Sequence, residues 1–174
     1  GSGSIDLNSL EWTQSCRFDV GMNISFPSLW KAENGYLYVS GAEVTLPEVT
    51  DINRISIYIS GGGGLSIPKA VSYQGETTSN RDDVWEVTAA GSTLSLSALA
   101  EIHGGTQYDC DLTISALSGG RIDMPNVTAI SAPAGGDQRY RGVFITADGE
   151  GSVVDLSSLE RFEDAYGWTD GTNH

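Results

Sequence analysis

The sequence predicts an all-β chain, a single parallel β-solenoid of about seven short coils. Three observations predict it: an apolar grid that recurs along the chain, the spacing of its copies, and a second alternating strand ahead of each copy. The grid is clearest at Gly91–Ile102, GSTLSLSALAEI. A glycine is followed by an apolar residue three places on (Leu94), another two later (Leu96), then Leu99 and Ile102. The i, i+2 apolar pair is the period of a strand with one buried face.

Taken in order, residues 1–4 read as a linker or cloning scar, 5–165 as the repeat domain and 166–174 as a C-terminal capping tail. Ile5-Leu7-Leu10 is a partial first copy. Gly21-Ile24-Phe26-Leu29 follows, with Pro27 directly after the second apolar residue. Gly41-Val44-Leu46-Val49-Ile52 repeats the pattern with Pro47, and Gly62-Leu65-Ile67-Ala70-Tyr73 with Pro68. After the Gly91 copy come Gly119-Ile122-Met124-Val127-Ile130, with Pro125, and Gly151-Val154-Leu156-Leu159-Phe162. The second apolar positions, from Leu7 to Leu156, are spaced 19, 20, 21, 29, 28 and 32 residues apart. About 20 residues per coil suits a three-sided helix of strands. Ahead of the glycines lie Leu37 and Val39, Ile57 and Ile59, Val87, Leu112 and Ile114, and Val143 and Ile145. The glycine takes the corner between strands, where a positive φ or a missing Cβ is needed. The proline closes the strand without removing a bond from its middle.

A leucine-rich repeat has a similar period, but its asparagine or cysteine ladder and leucine-dense strand are not in this pattern. On the grid, the glycine corners and the proline slot, the chain resembles the right-handed parallel β-helix proteins known from pectate-lyase-type polysaccharide enzymes. It resembles still more the β-solenoid repeats of large bacterial extracellular proteins. The resemblance covers roughly residues 5–165 and implies a right-handed coil. It carries no catalytic motif.

Composition narrows the partners. A formal charge of −14 argues against nucleic acid, because one polyanion would have to approach another. No apolar run approaches the roughly 18 residues a membrane-spanning helix needs. An acidic, Lys-poor, Ser/Thr/Gly-rich chain fits an extracellular or cell-surface location, with any secretion signal lying outside this sequence. Cys16 and Cys110 fall about four coils apart, roughly 19 Å, too far to bridge, so both are expected as free thiols.

Faces can be read separately because a solenoid stacks equivalent residues in columns. After the glycines the outward residues are Asp6, Ser25, Thr45, Ser66, Ser95, Asp123 and Asp155, a plain solvated face. Before the glycines they are Tyr36 and Tyr38, Tyr58, Glu86 and Thr88, Thr113 and Phe144. Tyr38 and Tyr58 are expected to be stacked and exposed, as sugar rings require of a platform. An aromatic ladder that merely stabilises its sheet is the competing reading.

Three insertions open at one corner, Gln74–Asp83, His103–Asp109 and Ser131–Arg141. Long insertions at one corner of a repeat array commonly mark its binding side. Five of the nine basic residues, Lys31, Arg54, Arg81, Arg139 and Arg141, fall near it and could hold carboxylate, sulfate or hydroxyl groups. The candidate ligand-binding residues are Tyr38, Tyr58, Tyr73, Arg81, Asp82, Glu86, Tyr108, Arg139, Tyr140 and Arg141. Asp148-Gly149-Glu150-Gly151 has some calcium-loop character but reads better as a turn. No cofactor, metal or catalytic residue is assigned. Trp12 and Trp30 are expected to cap the N-terminal end, Tyr166 and Trp168 the C-terminal edge.

Three functions compete. The first is a monomeric, non-catalytic carbohydrate-binding module joined to other domains of a larger secreted, polysaccharide-active protein. The second is a stiff spacer or adhesin repeat of a bacterial surface protein. The third is a small lyase or hydrolase, using Arg81 or Arg139 with Tyr108 or Tyr140, or Asp82 with Glu86. The ragged, Arg- and Tyr-bearing corner favours the first.

Overall fold

The computed structural model describes residues 6–164, and among them there are only strands and turns. All strand pairing is parallel. The first six-stranded sheet holds β2 (Arg17–Val20), β5 (Tyr36–Ser40), β7 (Ser56–Ser60), β10 (Asp83–Thr88), β13 (Leu112–Leu117) and β16 (Val143–Asp148), neighbours in that order. The second holds β3 (Ile24–Ser25), β6 (Glu43–Thr45), β8 (Gly64–Ser66), β11 (Thr93–Ser95), β14 (Arg121–Asp123) and β17 (Val153–Asp155). A third side comprises the pair β1 (Trp12–Gln14) and β4 (Lys31–Glu33), then β9 (Ser72–Gln74), β12 (Glu101–His103), β15 (Ala129–Ala132) and β18 (Arg161–Asp164). A lone bridge from Lys31 to Asp51 extends the pair towards β9. The architecture is all-β, built of parallel sheets, and compatible with a parallel β-helix.

The pairing reproduces the grid. Ile24, Val44, Leu65, Leu94, Ile122 and Val154 are aligned across the second sheet. Leu37 aligns with Ile57 and Val39 with Ile59 on the first, and Tyr73, Ile102, Ile130 and Phe162 on the third side. Side chains from all three sides form one buried cluster, so each repeat covers its neighbours' apolar faces rather than its own. The corner glycines Gly41, Gly62, Gly91, Gly119 and Gly151 have φ between 60° and 90°. At Gly119 a Cβ would meet Ala90 at 3.1 Å as well as a backbone strained for any other residue. Gly21 departs from the expectation and has no positive φ.

Other expectations are corrected. The first sheet buries an unforeseen column member, Trp85, aligned between Ile57 and Ile114 and fully enclosed. Its indole N–H donates to the Ile55 carbonyl at 3.0 Å, and its ring meets Tyr73 edge-on at 4.7 Å. Trp12 and Trp30 do not cap an end. They stand outside, 57% and 47% exposed: alternation points Thr13 inward and so Trp12 outward, whereas Trp30 lies ahead of β4, outside the strand whose Ala32 points inward. Ile5, Tyr166 and Trp168 lie outside the described residues. Both thiols are free, Cys16 exposed and Cys110 buried. An apolar cavity among Phe18, Phe26, Leu29, Leu37 and Leu46 measures about 20 Å³, room for one water at most. That cavity is too small for an organic ligand.

Candidate functional site

On the outer side of the first sheet, Asp19, Tyr38, Tyr58, Glu86, Ser115 and Thr146 form one column. The Tyr38 and Tyr58 rings are stacked, with centroids 4.6 Å apart and planes at 5°. On the opposite face of Tyr38 lies the Arg17 guanidinium, 4.3 Å from the centroid. Both faces of Tyr38 are therefore covered from within the protein, and the two rings are half-buried rather than exposed as expected. What the stack offers a ligand is ring edges, phenol groups and the Tyr58 face that looks towards Glu86. Burial and the neighbouring Tyr38 raise the Tyr58 phenol above its ordinary value, keeping it a neutral donor.

The adjacent outward column runs Arg17, Tyr36, Ser56 across the first three strands, and Val84, Thr113, Phe144 across the last three. Tyr36 and Phe144 are 41% and 42% exposed. The Ser56 hydroxyl accepts the Val84 amide, which joins the two halves of the column. Four strand spacings, roughly 19 Å, separate the two aromatics. One sheet side thus has an aromatic at each end and mostly small polar groups between.

The insertions are built rather than loose. Gly75 N–H donates to His103 O and Gly104 N–H to Ser131 O, each at 2.8 Å. Thr106 N–H reaches Glu76 O, and Asp137 N–H reaches Thr106 O. At the far corner Asn80 N–H bonds Tyr108 O and Asp109 N–H bonds Arg139 O. Asn80, Asp109 and Tyr140 share a left-handed backbone with φ of 52–60°. These matched conformations make the inserts stacked copies of one corner, the corner that Ser15, Asn34 and Arg54 turn with φ of 54–56° in the short repeats. The Cys110 thiol donates to Thr78 O at 3.0 Å, lacing two inserts together. Burial raises its pKa, so it serves as a packed donor, not a nucleophile.

On this ledge Tyr108 and Tyr140 meet edge-on at 5.4 Å, Arg139 lies 5.1 Å over Tyr108, and Tyr140 is 50% exposed. The structure therefore unites Tyr108, Arg139 and Tyr140 as candidates. It separates others. Tyr73 is fully buried, its hydroxyl donating to Asp83 at 2.5 Å, so it cannot meet a ligand. Asp82 accepts the Asp111 amide at 2.9 Å, and no hydrogen bond joins it to Glu86, which points outward from β10.

The basic residues each have a partner within the protein. Arg17 pairs with Asp19 at 2.9 Å, Arg54 with Glu33, Arg81 with Glu76 at 3.3 Å and Arg139 with Asp137 at 2.6 Å. Lys31 lies between Glu33 (2.6 Å) and Asp51 (3.3 Å), and Lys69 pairs with Glu48, Arg121 with Asp123, and Arg161 with Glu163. Arg141 donates to the carbonyls of Gly105 (3.0 Å), Gly135 (2.9 Å) and Pro133, so it holds the third insert closed. Beneath the ledge, burial lifts Asp83 to about 7, assisted by Glu76 and opposed by the Tyr73 hydrogen bond and by Arg81 and Arg54. Burial and Asp82 lift Asp111 to about 6. Asp137 at the surface, hydrogen-bonded by Arg139, falls to about 2.

Sequence reasoning left Trp12, Trp30, Tyr36 and Phe144 off the candidate list, although alternation from the inward residues marks Trp12, Tyr36 and Phe144 as outward. Comparison with known proteins finds no matching family model, no matching curated protein and no matching solved structure.

Proposed function

We propose that the chain is a right-handed parallel β-solenoid of about seven coils that binds a polysaccharide as a non-catalytic module of a larger secreted protein. One observation carries this reading: the large exposed aromatics cluster on the sides that meet at the insert corner. Tyr36, Phe144 and Tyr140 lie there, with Trp12 on the third side and Trp30 just ahead of it, while the outward column of the second sheet from Ser25 to Asp155 has no aromatic. Pyranose rings stack apolar C–H faces on such side chains and bond their hydroxyls to polar neighbours. A chain lying across the strands would run from Tyr36 past Tyr58 and Glu86 to Phe144, beside the ledge. With few open ring faces, affinity should be modest, about micromolar.

The test is affinity electrophoresis through gels containing single polysaccharides, with the parent and a Tyr36→Ala, Phe144→Ala double variant. Retardation that the double variant loses, at unchanged fold, supports the reading. A stiff spacer is the second reading, favoured by the covered faces of Tyr38 and the internally paired cations. Passage of the parent through every gel unretarded would establish it over the first.

A further inference from the structure

Resting on that glycan-binding reading, we infer that the ligand is an uncharged polysaccharide, not a uronate-rich or sulfated one. Recognition of an anionic sugar needs a cation whose hydrogen bonds are open to it. Each of the nine Lys and Arg side chains already has a carboxylate or carbonyl partner within this protein, although the contacts of Arg81 and Arg161 are single and long, at 3.3 and 3.8 Å. On the binding side, Arg17 and Arg139 each lie over a tyrosine ring while holding Asp19 and Asp137. An incoming carboxylate would have to displace a carboxylate already there, exchanging one exposed pair for an equivalent one. Exposed pairs are worth little in either direction, so the exchange supplies no net attraction. The long-range field of a chain with formal charge −14 remains, and it repels polyanions.

The groups that face outward along the proposed path fit hydroxyls. Glu86 aligns beside Tyr58, with Thr113 one column across and Thr146 two strands further, the intervening Ser115 being buried. A carboxylate accepts sugar O–H groups in charge-assisted bonds, and the same carboxylate opposes a uronate or sulfate at that position. The aromatic ends supply the apolar contact, which carries no charge requirement.

The experiment uses the whole chain in two sets of gels and in titration calorimetry. One set contains neutral mixed-linkage β-glucan, xyloglucan, glucomannan and arabinoxylan. The other contains polygalacturonate, alginate and carrageenan, with and without calcium. The expected result is retardation by at least one neutral polymer and by no acidic one. The Kd should change by less than about twofold when NaCl is raised from ~20 to ~500 mM, since screening has no attraction to remove. Retardation by an acidic polymer, alone or through calcium, overturns the inference while leaving glycan binding intact. Retardation by none overturns the glycan-binding reading and the inference with it.

Discussion

The two six-stranded sheets share one core and one order of repeats, yet they differ on the outside. The second sheet has strands of two or three residues, and its inward column, Ile24, Val44, Leu65, Leu94, Ile122 and Val154, is branched aliphatic throughout. Its outward column from Ser25 to Asp155 is small and polar. The first sheet has strands of four to six residues, enough for more outward columns, and these hold Tyr36, Tyr38, Tyr58, Glu86 and Phe144. It also buries the one indole of the core, Trp85. The inward columns must fit a shared interior at close packing, so they vary little between the sheets. The outward columns answer to no such constraint, and the wider sheet is the one with outward aromatics.

The comparison can be broken most severely from inside. Trp85→Ala should cost roughly 3–5 kcal/mol, from lost volume and a stranded Ile55 carbonyl. Leu94→Ala on the second sheet should cost less, nearer 2–3 kcal/mol. Denaturant midpoints at equal m-values rank the two, and equal costs would show that the sheets share the core evenly.

Next comes the titration beneath the ledge. Asp83 binds its proton more tightly folded than unfolded, so its contribution to stability is complete below the ordinary carboxylate range and is lost as pH rises through about 7. The buried shift corresponds to about 4 kcal/mol as an upper bound. Asp111 acts in the same direction through about 6, whereas Asp137, lowered to about 2, withdraws its support only as the pH falls below about 4. Melting temperature should therefore peak near about pH 4–5 and fall towards pH 8. Asp83→Asn should flatten the upper limb and raise Tm at pH 8. An unchanged upper limb would place the titration elsewhere.

Gly136→Ala tests whether the ledge is a built part of the wider side. A Cβ there would stand 1.7 Å from the Thr106 carbonyl, at a φ of 77°. The third insert must then shift, at about 1–3 kcal/mol. Hydrogen exchange should quicken at Asp137 and leave second-sheet amides such as Leu94 protected. Uniform acceleration would mean that the inserts and sheets unfold as one unit.

The smallest effects lie outside. Replacing Tyr38 and Tyr58 together by Ala removes the stack and the Arg17 contact, for about 1–2 kcal/mol. Glycan affinity should drop about tenfold if the column lies on the binding path. Ser66→Ala with Ser95→Ala on the second sheet should change stability by less than about 0.5 kcal/mol and leave binding untouched. A binding loss from the serine pair would reverse the assignment of sides.

Much of this frame was legible from residue order. The repeat register, the corner glycines, the proline slots and the Tyr38–Tyr58 alignment follow from period and spacing, because neighbouring repeats must bury each other's apolar positions. Trp85 stands two before the inward Val87, so alternation already points it inward; what spacing cannot show is the Ile55 carbonyl that takes its indole N–H. Trp12 and Trp30 follow the last leucine of their repeats, which suggests caps; alternation from Thr13 turns Trp12 outward, but nothing in the spacing shows that Trp30 falls outside β4. The cations escaped for another reason. Lys31 and Glu33, or Arg139 and Asp137, are close in sequence, but Arg54 meets Glu33 only because successive repeats are stacked.

What sequence alone determined is the periodic part: parallel sheets, one shared core and one widened corner, because burial of a repeating apolar pattern has few solutions. Tertiary structure decided which outward groups remain open to a ligand. Ring faces and charges that look available in a linear reading are covered by neighbours from adjacent repeats, and proximity across the stack is invisible to spacing along the chain.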